Sequence, residues 1–145
     1  FLPASVPVPD AMTNEYYKSE EEYFTAYGDA MREEYRTILD AGLLLQIDFP
    51  RLVSHWDARR YTSLAEYRKW VESRIALLNH ALRGLPEDRL RFHTCYGVNF
   101  GPRVSDLQLE QIIDLFFTIK AGAYYLMALN GHGEAAAQSA EFYVG

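Results

Sequence analysis

The sequence predicts an α/β fold on a parallel sheet, and three observations carry that prediction. Amphipathic helical stretches alternate with short, mostly apolar runs in the order helix, strand, helix, strand, helix, strand. The first run is apolar on both faces and closed by Pro50, and the second stops at Gly97, as parallel strands covered by helices do. Alternation of this kind implies right-handed βαβ crossovers. About three strands cannot close a (β/α)8 barrel, which takes about 250 residues. The chain therefore reads either as a portion of such a barrel or as a small three-layer sheet standing alone.

Composition bounds the function. The 145 residues are 49% hydrophobic and 23% charged, enough for one domain (1–145) with a real core. The net charge of −6 argues against nucleic acid as a partner, because phosphate binding needs clustered Lys and Arg. No apolar run approaches the ~20 residues of a membrane span, and no basic-then-apolar leader is visible. The single cysteine excludes an internal disulfide and fits a reducing compartment, so a cytoplasmic location is expected. Opening at Phe1 without Met, the chain reads as a fragment or a processed product.

Residues 1–17 carry Pro3, Pro7 and Pro9 without a period and form an extended lead-in. Ser19 with Glu22 makes a capping box, and Phe24, Tyr27, Met31, Tyr35 and Ile38 mark one apolar helical face that Gly42 ends. Residues 43–48 are the first strand, and residues 51–62 read as a polar loop holding Trp56. Ser63 with Glu66 opens a second helix, to about Gly84, whose core face is Tyr67, Val71, Ile75, Leu78 and Leu82. His80, near its C-terminus, reads as a structural residue compatible with the helix dipole. Residues 90–97 form the second strand, and Ser105 caps a third helix over 106–120. Residues 124–129 form a third buried strand, and the stretch from Glu134 to the end reads as a short helix or a frayed end.

The polar side chains that stand out fall at strand C-termini, where ligands bind in parallel α/β folds: Gln46, Asp48, His93, Cys95 and Asn130. Gln46 and Asp48 share a face, and Asp48 is either a cap for the next turn or a ligand-facing carboxylate. His93 and Cys95, two apart on a strand, also share a face. An imidazole and a thiol so placed can bind one metal ion or form a nucleophile pair, though in-line proton transfer between them is poorly served.

The segments Asn14-Glu-Tyr-Tyr17, Gly42-Leu-Leu-Leu-Gln-Ile-Asp48, Leu78-Asn-His-Ala-Leu-Arg-Gly84 and His93-Thr-Cys-Tyr-Gly97, in this order, extend over nearly the whole chain. Together they resemble the C-terminal catalytic barrel of cobalamin-independent methionine synthase, and more closely its shorter one-barrel relatives. The resemblance implies a middle portion of a (β/α)8 barrel. It implies zinc as cofactor, with His93 and Cys95 as two of its ligands, and Asp48, beside Gln46, as the carboxylate that holds the substrate's amino group. The implied activity is methyl transfer from a folate-type donor to a thiol such as homocysteine, with zinc lowering the pKa of the bound thiol.

The chain also departs from that pattern. Met127 stands where the family has a glutamate ligand, and methionine is a poor replacement for a carboxylate on zinc. No second cysteine follows, Phe49 replaces an acid, and Asn130-Gly-His-Gly133 replaces Asn-Pro-Arg-His. His132 is a substitute ligand or a solvated loop residue. Two alternatives stand beside the enzyme: a non-catalytic half-barrel that binds or assembles, and a metal-independent lyase of the same superfamily using Asp48. An unclosed barrel leaves strand edges open, so a homo-oligomer or a completing partner chain is expected.

Overall fold

The computed structural model describes residues 1–6, 13–57, 61–96, 107–129 and 137–143. It is an α/β fold with one five-stranded sheet in the order β1-β2-β3-β4-β5. The strands are β1 (Leu2–Ser5), β2 (Leu45–Asp48), β3 (Leu90–Tyr96), β4 (Ala123–Leu129) and β5 (Ala137–Tyr143). The first four run parallel, each beside its predecessor in the chain, and β5 pairs antiparallel to β4. The helices are α1 (Glu20–Asp40), α2 (Arg51–Asp57), α3 (Leu64–Leu82) and the single turn α4 (Ile113–Phe116). Among the described residues no helix is long and apolar enough to cross a membrane.

The long helices form where their caps dictate. Ser19 Oγ accepts the backbone N–H of Glu22 at 3.1 Å, and the Glu22 carboxylate reaches back past the cap to the N–H of Lys18. At the far end Gly42 adopts φ +81°, and its N–H reaches Leu39 O while that of Leu43 reaches Ile38 O. This is a Schellman closure, which needs a residue tolerant of the left-handed region. Ser63 Oγ accepts the N–H of Glu66 at 3.2 Å to start α3. Ser63→Ala is expected to lower the unfolding free energy by about 1 kcal/mol in urea titration. A change under about 0.2 kcal/mol would show that water caps α3 equally well.

Both long helices lie on one face of the sheet. Ala4, Leu45, Ile47, Leu90, Phe92, Tyr124 and Leu126 point into that layer, with Tyr35, Ile38, Leu39, Tyr67, Val71, Ile75 and Leu78. The Tyr35 hydroxyl donates to the Ser5 carbonyl and that of Tyr67 to the Leu52 carbonyl, so two fully buried phenols satisfy their polar ends on backbone. Burial raises the Tyr35 pKa far above its ordinary value. His80 Nε2 meets Asp29 Oδ1 at 2.9 Å and ties α3 to α1. Hydrogen bonds from Arg83 and then His80 hold the Asp29 carboxyl below its usual range.

Several expectations need correction. The extended lead-in begins with a strand, because β1 pairs along β2 through Leu2–Leu45 to Ser5–Asp48. The first predicted strand starts at Leu45, leaving Leu43 and Leu44 in the exposed turn. The presumed loop after Pro50 contains α2, whose Leu52 and Val53 are buried, with Trp56 packed against the core. The third helix reduces to a 3-10 turn at Leu109–Gln111 and α4. Ile112 between them takes φ −142°, and neighbouring β-branched residues weaken a continuous helix there. The Ala-rich tail forms β5, because the open edge of β4 offers backbone partners that outweigh helix propensity. The expected Ser105 cap, Asn130 and His132 lie outside the described residues.

Candidate functional site

Alternation along β3 separates two chemistries. Leu90, Phe92 and Thr94 face the helices and are fully buried, whereas Arg91, His93 and Cys95 project to the other face. Parallel pairing aligns Gln46 with Arg91, Asp48 with His93, and His93 with Tyr125. Of the five residues singled out from sequence, Gln46, Asp48, His93 and Cys95 therefore share one face near the strand C-termini, and Asn130 lies outside the described residues. The Cα register partner of Cys95 on β4 is Met127.

The end of β2 is pinned so that this alignment holds. The Phe49 N–H donates to the His93 carbonyl at 2.9 Å, and Thr94 Oγ1 donates to the Phe49 carbonyl at 2.8 Å. Phe49 itself turns into the core near Trp70, with ring centroids 6.4 Å apart, which suits an apolar residue at this position.

His93 is held from two sides. Its Nδ1 lies 3.1 Å from the Tyr125 carbonyl, and its ring stacks on the Tyr125 ring at 4.9 Å between centroids. A carbonyl only accepts, so in the neutral ring Nδ1 donates and Nε2 is the acceptor turned toward Cys95. Nε2 faces Cys95 Sγ at 3.7 Å. Burial, and secondarily the Asp48 carboxylate, raises the Cys95 thiol above its ordinary pKa. That environment keeps the sulfur protonated at neutral pH, the opposite of an activated nucleophile. A cation bound between the two atoms would reverse the balance.

Those two atoms fit a metal edge. Zinc bonds of about 2.3 Å to sulfur and about 2.0–2.1 Å to nitrogen, at a tetrahedral angle, set the two donors about 3.6 Å apart. The Nδ1 bond to a backbone carbonyl is the outer support that metal-bound histidines use. Only half a coordination shell is formed by this pair. Among the described residues no group of three or more His, Cys, Asp or Glu is placed to hold a metal ion.

Asp48 belongs to a separate polar chain on the same face. Arg91 Nε donates to Gln46 Oε1 at 2.7 Å, and Gln46 Nε2 donates to Asp48 Oδ1 at 2.7 Å. The Arg91 guanidinium lies 3.8 Å over the Phe1 ring and 5.4 Å from the Tyr125 ring. Asp48 is thus tied to Gln46 on its own strand, and among the described residues no backbone N–H of the following turn donates to its carboxylate. Arg91 and Tyr125 were not singled out from sequence. Arg91 precedes His93 by two residues, so alternation alone could have found it, but Tyr125 reaches His93 only through the β3–β4 register.

Comparison with protein-family models, with curated proteins and with solved structures finds no match to this sequence.

Proposed function

We propose that the chain is a portion of a (β/α)8-type barrel whose inner face carries a zinc-dependent thiol methyltransferase site. The observation that carries this reading is the His93–Cys95 pair, with Nδ1 anchored and Nε2 facing Sγ at 3.7 Å. Sequential parallel order over four strands, with the long helices on one face, supports a barrel wall over a doubly wound sheet. His93 and Cys95 would supply two zinc ligands, and His132, which follows β4 in sequence, is a further imidazole the chain can offer. The chemistry zinc would supply there is a lowered pKa for a bound substrate thiol, whose sulfur would take the methyl group as the donor–CH3 bond breaks, the donor, folate-type by resemblance, leaving with the electron pair and taking up a proton. Asp48 would receive the ammonium of a thiol such as homocysteine, a charge-assisted contact that orients the acceptor.

Elemental analysis tests the metal. The purified protein, supplied with zinc and freed of excess, is expected to retain close to one equivalent, and Cys95→Ser to reduce this to below about a tenth. A wild-type content already under about a tenth, unchanged by the substitution, would sink the zinc reading. Transfer of a methyl group to homocysteine then tests the activity itself.

A second reading, a non-catalytic binding module on the same scaffold, is favoured by one observation. β5 occupies the edge of β4 in the antiparallel sense, where a barrel would place its next parallel strand. Absence of zinc together with intact folding is the outcome that supports it.

A further inference from the structure

The polar chain that ends at Asp48 has a direction, and Arg91 sets it. A guanidinium can only donate, so the Gln46 amide must turn its oxygen toward Arg91. Its NH2 group then points at Asp48 Oδ1. Were the amide reversed, its oxygen would face the carboxylate and repel it. The Arg91 guanidinium also lies 3.8 Å from the Phe1 ring centroid and 5.4 Å from that of Tyr125, contacts that limit its movement. Among the described residues Gln46 is the side-chain donor to the Asp48 carboxylate, at Oδ1, which leaves Oδ2 for a ligand.

We propose that Arg91 is a positioning residue that, by fixing the sense of the Gln46 amide, holds Asp48 aimed at the ammonium group of a small aminothiol. The proposal rests on the reading of Asp48 as the ammonium acceptor. It assigns to the sheet face a two-residue support that acts on ligand selection and not on the thiol chemistry. Gln46 therefore shapes the site without needing to touch the ligand.

The test compares two probes that differ only in the amino group, L-homocysteine and 4-mercaptobutanoate. Each is titrated calorimetrically into zinc-supplied wild type, Asp48→Asn, Arg91→Met and Arg91→Lys. Wild type is expected to prefer homocysteine by about tenfold or more, and Asp48→Asn to abolish that preference. Arg91→Met should reduce it by roughly three- to tenfold, Arg91→Lys should restore part of it, and Arg91→Met should add nothing in the Asp48→Asn background. General loosening of the sheet would weaken both probes equally and leave the ratio unchanged.

A second readout needs no ligand. The Gln46 side-chain amide protons should show resolved, shifted NMR resonances in wild type and collapse toward free-amide values in Arg91→Met. Full retention of the preference in Arg91→Met, with its loss in Asp48→Asn, would overturn the role of Arg91 and leave the Asp48 reading intact. Retention of the preference in Asp48→Asn, or binding of neither probe, would overturn the Asp48 reading and this proposal with it.

Discussion

Replacing Phe92 with alanine is expected to lower the unfolding free energy by about 3–5 kcal/mol. Phe92 is fully buried on β3, with the Phe116 ring 5.9 Å and the Tyr124 ring 6.4 Å away between centroids. Truncation removes a large apolar side chain from a layer held on both sides by backbone elements, so little collapse can refill the space. Denaturant titration measures the loss, and Phe92→Leu, closer in volume, should cost much less. The result also tests which way β3 faces. A loss under about 1 kcal/mol for Phe92→Ala would mean that Phe92 is not the core-facing residue. His93 and Cys95, on the alternate face, would then be the ones buried against the helices, and the site as described would not exist.

Gly122→Ala carries the second large effect, expected at about 2–3 kcal/mol. A Cβ at this position would lie 2.7 Å from the Glu87 carbonyl oxygen and 3.1 Å from Asp88 Cα, both backbone atoms that cannot swing aside. The Gly122 N–H also donates to the carbonyls of Glu87, at 2.8 Å, and Leu90, at 3.2 Å. This contact seats the start of β4 against the turn that leads into β3. Displacing β4 moves the Tyr125 carbonyl that holds His93 Nδ1, so the damage should reach the site. Gly42→Ala provides the contrast: no atom crowds a Cβ there, and only the positive φ is penalised, by about 1 kcal/mol. Equal stability losses for the two variants would show that the Gly122 approach is not tight. Nitrogen-15 NMR of the His93 ring should show one tautomer in wild type and a mixture in Gly122→Ala.

Much of this architecture was legible in local pattern. Ser19, Glu22 and Gly42 bracket α1, and Ser63 and Glu66 start α3, because caps are short-range chemistry that a sequence displays directly. The alternation of β3 is enough to place His93 and Cys95 on one face. The amphipathic face of α3 matched its buried residues Tyr67, Val71, Ile75, Leu78 and Leu82.

Features decided by a distant partner are not legible in local pattern. Leu2–Ser5 is a strand only because β2 offers an edge to it. Ala137–Tyr143 lies in a helix-prone stretch yet pairs with β4, since unpaired backbone groups on a sheet edge are costly and any extended segment can satisfy them. The α2 helix was obscured by surrounding arginines, although Leu52, Val53 and Trp56 carried its apolar side. By itself the sequence determined the long helices, the alternation of strands and helices, and the pairing of His93 with Cys95. Tertiary structure alone decided that β2 and β3 align Asp48 with His93, that Tyr125 stands behind the imidazole, and that Arg91 reaches Gln46. The physical reason is range. Caps and alternation are set by neighbours a few residues apart, whereas register is set by backbone hydrogen bonds between segments more than 30 residues distant in the chain.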